Sequence, residues 1–213
     1  ETAISDLEVE QKEVQSNLYY IKYKIENSDN FLTIATTRPE TMFGDSAVAV
    51  NPNDERYKKL IGKKITVPIA NRTVDIIADT YVSIEQGSGA LKVTPAHDFN
   101  DFEIGKRHKL KFINILEKNG RLNNNVPKGF LGDDRFEARV KIIKLLKEKN
   151  LLEKIENIKN SIPYGDRSNS IIEPLLTEQW FADAKFLSKK AIQLVKKKKT
   201  SFFPKNWSKT YFE

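Results

Sequence analysis

Six short apolar runs between residues 31 and 116, each four to six residues long and each followed by turn-forming residues, restrict this 213-residue chain more than any other feature. They fall at Phe31–Thr36, Ala47–Val50, Ile65–Ile69, Val74–Ala78, Ala90–Thr94 and Phe112–Leu116. Runs of this length are too short to bury a helical face, and the Pro, Asn, Asp and Gly between them are turn residues. Ahead of them, Leu18–Ile25 places Tyr19, Ile21, Tyr23 and Ile25 on one face, the period of a half-buried strand. So many short strands predict a mostly β fold with helices, a barrel-like curled sheet that an α+β description would also fit.

Helices punctuate the sheet. Asp98 is an N-cap type for a helix reaching His108, where that histidine is a structural group, and Asp133 or Asp134 caps a second. The second helix is expected to line Phe136, Val140, Ile143 and Leu146 on one face and to end at Asn150. A third, near Asp183–Lys198, is expected to turn Leu187, Ala191, Leu194 and Val195 inward. Between them, Ser161–Trp180 is polar and turn-rich without periodicity, and Trp180 and Trp207 are read as packing anchors. The expected organisation is a connector over 1–15, a core over 16–165, and a return connector over 166–213 ending in a basic helix.

Composition excludes several classes of function. Cysteine is absent, which removes disulfides and thiolate zinc sites, and two histidines eleven residues apart do not suggest a metal centre. No apolar stretch approaches the roughly 18 residues of a membrane helix, and the charged opening does not resemble a signal peptide, so a cytoplasmic protein is expected. The net charge of +7 resides in residues 181–213, where nine Lys face only Asp183 and Glu213. That bias fits nucleic acid, and equally a solvated helix end with Lys196–Lys199 near its negative pole.

Two segments concentrate reactive groups. Thr36-Thr37-Arg38-Pro39-Glu40-Thr41 leaves the first short strand, and Gly87-Ser88-Gly89-Ala90-Leu91-Lys92-Val93-Thr94-Pro95-Ala96-His97-Asp98 leaves a later one and continues to Asp101. Strand alternation puts Lys92 and Thr94 on one face, and Asp98 and Asp101 share a face of the helix that follows. The hydroxyls of Thr36 and Thr37 are available to a carbonyl or an attacking water. Arg38 is placed for a nucleotide phosphate or for an ion pair with Glu40. Thr41 and Asp45 either join the site or organise the turn around Gly44, and Gly87 and Gly89 leave room for close backbone approach. His97 and Asp98 are adjacent and point apart, so no catalytic dyad is expected from them.

Both segments resemble signature peptides of the editing domain inserted in class I valyl-tRNA synthetases. The resemblance extends to Ala47–Pro52, Asp54–Tyr57, Ile77–Asp79, Asp134–Arg139 and Glu178–Phe181, and the flanks Thr2–Glu10 and Phe203–Trp207 look like the links to a synthetase body. Leucyl and isoleucyl relatives carry similar threonine-rich peptides but not this Lys-Val-Thr run. The resemblance implies deacylation of threonine mischarged on valine tRNA, with threonyl-adenylate as a further possible substrate. It assigns Lys92, Thr94 and Asp101 to the threonine side chain and Asp98 to the α-ammonium group, with Arg38 and Glu40 on the opposite wall. Neither metal nor cofactor is expected here, and ATP belongs to the parent synthetase, held in cis. The alternatives are editing by a leucyl or isoleucyl relative, or a non-catalytic tRNA-docking module.

Overall fold

The structure, a computed structural model, describes residue 4 and residues 8–178, 180 and 182–212. Expectations placed on residues 1–3, 5–7, Gln179, Phe181 and Glu213 lie outside the described residues. The chain divides into two compact units, residues 1–176 and 177–213.

Seven strands form one sheet in the first unit: β1 (Val9–Ile25), β2 (Phe31–Thr36), β3 (Ala47–Val50), β4 (Lys64–Val67), β5 (Arg72–Ala78), β6 (Ala90–Val93) and β7 (Leu152–Gly165). Their order is β2-β1-β4-β5-β3-β6, with β7 also paired to β1. All pairs are antiparallel except β3 with β5. The sheet curls until β2 and β6, its two ends, lie against each other. A half-barrel results, with a few helices on it, as the strand pattern predicts.

Buried alternation builds the core. Ile21, Tyr23, Ile25, Leu32, Ile34, Val48, Val50, Ile65 and Ile76 all point into one apolar cluster. On the other face of β3, Ala47 and Ala49 meet Val93 and Ile104, so this strand is covered on both sides. Two helices complete the first unit: α1 (Phe99–Arg107) and α2 (Arg135–Glu148), capped by Asp98 and Asp134. The face of α2 differs from expectation. Ala138, Ile142 and Leu146 are buried, while Val140 is 71% exposed and Phe136 is exposed. An i, i+4, i+8 row beginning at Ala138 lets the helix come close to the turn at Pro39–Gly44, which the bulkier Phe136 row would hold away.

Two strand expectations also change. Phe112–Leu116 is not a strand; apart from a bridge between Leu116 and Leu122, its backbone groups are taken by side chains. The Ile115 N–H donates to His97 Nε2 (2.9 Å), and the Asn114 carbonyl accepts from the Asn123 and Asn125 amides (3.0 and 2.7 Å). Conversely, β7 is a strand that the apolar pattern did not reveal, and β1 begins at Val9 rather than Leu18. These outer parts form a two-stranded ribbon from Val9↔Gly165 inward in which alternate residues are half-buried, but several of those positions are polar, such as Lys12, Ser16 and Asn160, so the apolar alternation of a half-buried strand is missing. The strand is continuous through residue 16.

The second unit holds α3 (Ala184–Lys196) and α4 (Trp207–Phe212). α3 is helical over most of its expected span, but Leu187, Ala191 and Leu194 are exposed and Val195 is only half-buried. Its neighbours are few. The Tyr211 ring meets Phe202 tilted at 4.9 Å and Phe212 edge-on at 5.3 Å, and the Lys196 ammonium sits 6.0 Å from the Phe212 ring. Trp180 is fully exposed and Trp207 more than half exposed, so neither anchors packing.

Candidate functional site

The curl brings the two reactive segments together at the seam between β2 and β6. Arg38 donates from Nη1 to the His97 carbonyl (3.0 Å), a direct link between them. Just before β6, Gly87 approaches β2 so closely that an added Cβ would sit 3.0 Å from the Ala35 methyl. Gly87 and Gly89 both have positive φ, 61° and 77°, and an added Cβ at Gly89 would run into the Arg56 guanidinium. These glycines serve the turn that delivers β6.

β6 supplies the centre of the site. Lys92 and Thr94 share a face, and Lys92 Nζ donates to Thr94 Oγ1 (2.6 Å). Thr94 Oγ1 in turn donates to Asp45 Oδ1 (2.9 Å), and Lys92 Nζ lies 3.7 Å from the same oxygen. Asp101, one turn into α1, accepts the Thr94 N–H at Oδ2 (2.8 Å). All four residues are buried. Burial pushes the Asp101 carboxyl up to about 6, against the opposing pull of Lys92 and the Thr94 N–H. Burial likewise raises Asp45, with Lys92, Tyr23 and Thr94 pulling it down. A cation, a hydroxyl and two carboxylates have thus been taken out of water inside a sheet, which costs stability unless their hydrogen-bonding capacity is used.

Asp98 stands at the rim, exposed, as the N-cap of α1. Both cap bonds, from the Asn100 and Asp101 N–H groups (2.8 and 3.1 Å), end on Oδ1. Oδ2 has no protein hydrogen-bond partner among the described residues, so the cap leaves one oxygen open. Tyr81 lies near: burial first, then the charges of Asp98 and Asp101, raise its phenol.

On the facing wall, Thr36 Oγ1 accepts the Arg38 N–H (3.1 Å), and Thr37 is half-buried. Arg38 is bound on several sides, to Glu173, to Glu40 at 3.5 Å and to the His97 carbonyl. Glu40 is turned inward instead. It is 1% exposed and receives both Nε and Nη2 of Arg139 at 2.7 Å. Thr41 Oγ1 donates to the Arg38 carbonyl (2.9 Å), so it organises the turn, whereas Asp45 joins the site. His97 is structural: Nε2 accepts the Ile115 N–H, and burial, then Arg38 and Lys92, lower its pKa to about 3. His108 contacts Asp79 at 2.9 Å, away from these residues. Among the described residues no cluster of three His, Cys, Asp or Glu is placed to hold a metal.

The chain is similar in sequence and in fold to known proteins. A family model described as "Leucyl-tRNA synthetase, editing domain" matches residues 58–136. Over its whole length the chain is 64% identical to a valine–tRNA ligase of Pelagibacter ubique, spanning 24% of that protein. It is 53% identical to those of Coxiella burnetii and Legionella pneumophila, spanning 23% of each. The chain belongs to the editing-domain family of valyl-tRNA synthetases. It spans about a quarter of the length of these relatives. Its fold resembles part of a solved ternary complex of Agrobacterium radiobacter K84 LeuRS with tRNA and LeuAMS, with a TM-score of 0.54 and 19% identity over 70% of this chain and 21% of that one.

Within this editing-domain framework, several site residues carried no local signal. Tyr23 reaches Asp45 Oδ2 with its hydroxyl (2.8 Å), and Arg139, Arg135 and Glu173 build the ion-pair network behind Arg38. They lie far from the motifs in sequence. Arg135 and Arg139 could have been suspected, because both fall in the Asp134–Arg139 stretch on which the resemblance rests.

Proposed function

We propose that this chain hydrolyses the ester joining threonine to the 3′ end of valine tRNA, acting as the editing deacylase of a valyl-tRNA synthetase. The observation that carries the reading is the buried Lys92, Thr94, Asp45 and Asp101 cluster. An apolar pocket cannot strongly reject threonine in favour of valine, because the two are nearly isosteric. A second site built from buried donors and acceptors reverses the preference: threonine's hydroxyl pairs with them, and valine leaves them unpaired at about 1–3 kcal/mol for each stranded group.

In this reading the α-ammonium binds Asp98 at its open oxygen, the threonine hydroxyl enters between Lys92 and Asp101, and Thr36 and Thr37 face the ester. Water attacks the carbonyl carbon, the bond to the ribose oxygen breaks, and the proton lost by water balances the one gained by the ribose hydroxyl. Positioning supplies much of the rate. No metal or cofactor is required, ATP is used by the rest of the synthetase in cis, and threonyl-adenylate is a second substrate of the same chemistry. The reading places this work in the cytoplasm; among the described residues no helix is long and apolar enough to cross a membrane.

The test is single-turnover hydrolysis of threonyl- and valyl-esters of valine tRNA by this chain. The threonyl ester should be cleaved at least ten-fold faster. Equal rates, or faster cleavage of valine from isoleucine tRNA, would overturn the assignment.

A further inference from the structure

Asp45 is fully buried, and each of its oxygens receives one hydroxyl proton: Oδ1 from Thr94 (2.9 Å) and Oδ2 from Tyr23 (2.8 Å). A hydroxyl has one proton to give and lone pairs to accept with. Because Thr94 spends its proton on Asp45, its oxygen is left as an acceptor, and Lys92 Nζ occupies it at 2.6 Å. Lys92 therefore stops 3.7 Å short of Asp45, with further N–H groups still to offer. Tyr23 lies on β1, fully buried in the main apolar cluster, and none of the sequence motifs includes it. The other cation facing Asp45, Arg72, donates from Nη2 to the Phe43 carbonyl (2.9 Å).

We propose that Tyr23, acting through Asp45, is a positioning residue that holds Thr94 and Lys92 in the arrangement that reads the threonine hydroxyl. The inference rests on the threonyl-ester reading above. Without the Tyr23 hydroxyl, Oδ2 of Asp45 is an unpaired anionic acceptor in a dry site. The nearest mobile donor is Lys92, so the ammonium moves onto Asp45, leaves Thr94 and withdraws from the substrate.

The test uses Tyr23→Phe in the full chain, with Tyr20→Phe as a control, since Tyr20 lies on the same strand but sends its hydroxyl to Glu156 (3.1 Å). Two readouts are taken. First, the ratio of single-turnover rates for threonyl and valyl esters should fall about five- to ten-fold in Tyr23→Phe, the effect of displacing one charge-assisted hydrogen bond, and hold in Tyr20→Phe. Second, the nitrogen-15 ammonium signal of Lys92, identified by its loss in Lys92→Gln, should shift and exchange faster with water in Tyr23→Phe without any substrate present. An unmoved Lys92 signal together with an unmoved ratio overturns the proposal, even if Tyr23→Phe melts earlier. If the unmodified chain shows no threonyl preference, the functional reading fails instead, and the Lys92 signal alone decides the positioning role.

Discussion

Replacing Asp101 with Asn should stabilise the protein while damaging its selectivity, and the size of the gain follows from the buried carboxyl. Folding raises this group from 3.8 to about 6. Between those values the native state holds a proton that the unfolded chain has released, so stability falls as pH rises through the window. The cost is absent below pH 3.8 and complete above about pH 6. Each unit corresponds to about 1.4 kcal/mol, so ionised Asp101 costs the fold about 3 kcal/mol at pH 8. Asn is neutral throughout, and its side-chain oxygen can still accept the Thr94 N–H. Asp101→Asn should then exceed the parent by about 3 kcal/mol at pH 8, the attraction to Lys92 being already contained in the net shift, with the difference closing toward pH 4. His97 adds a second signature. Its neutral ring, lowered to about 3, contributes stability that is fully present above 6.5 and lost as pH falls through 3. From about pH 6 to 4 the two groups have opposite slopes and cancel, so the variant should expose a decline of about 1.4 kcal/mol per unit that the parent hides. Urea unfolding followed by circular dichroism at five values between pH 4 and 8 measures both. A difference between variant and parent that does not change with pH would refute the reasoning.

Three further outcomes follow from the same geometry. Asp98→Ala should cost about 1 kcal/mol as a lost N-cap but lower threonyl-ester hydrolysis more than ten-fold, which separates its two roles; a variant that keeps normal rates would leave only the cap. Arg139→Ala leaves the buried Glu40 with only the more distant Arg38 (3.5 Å) and should cost up to about 3–5 kcal/mol in denaturant unfolding, an effect that a merely superficial ion pair would not produce. On α2, Ile142→Ala should cost about 2–5 kcal/mol and Val140→Ala less than about 0.5, as thermal unfolding would show; a reversal would restore the face centred on Phe136 and Val140.

Local pattern was sufficient to place the short strands and the capped helix starts. β2 and β3 occupy the expected residues, β4, β5 and β6 lie close to theirs, and α1 and α2 begin where Asp98 and Asp134 cap them, because side-chain alternation and capping depend on near neighbours in the chain. Lys92 and Thr94 share a face for the same reason. What sequence alone could not decide depends on distance across the fold. The ribbon of β1 and β7 has polar residues at several half-buried positions and so leaves no apolar pattern, and Phe112–Leu116 looks like a strand until His97 takes its Ile115 N–H. Glu40 and Asp45 stand five residues apart in similar surroundings, yet one is committed to Arg139 and the other to Tyr23 and Thr94. Which carboxylate joins the site is settled by tertiary packing, because α2 brings Arg139 onto Glu40, whereas β1 and β6 bring Tyr23, Lys92 and Thr94 to Asp45.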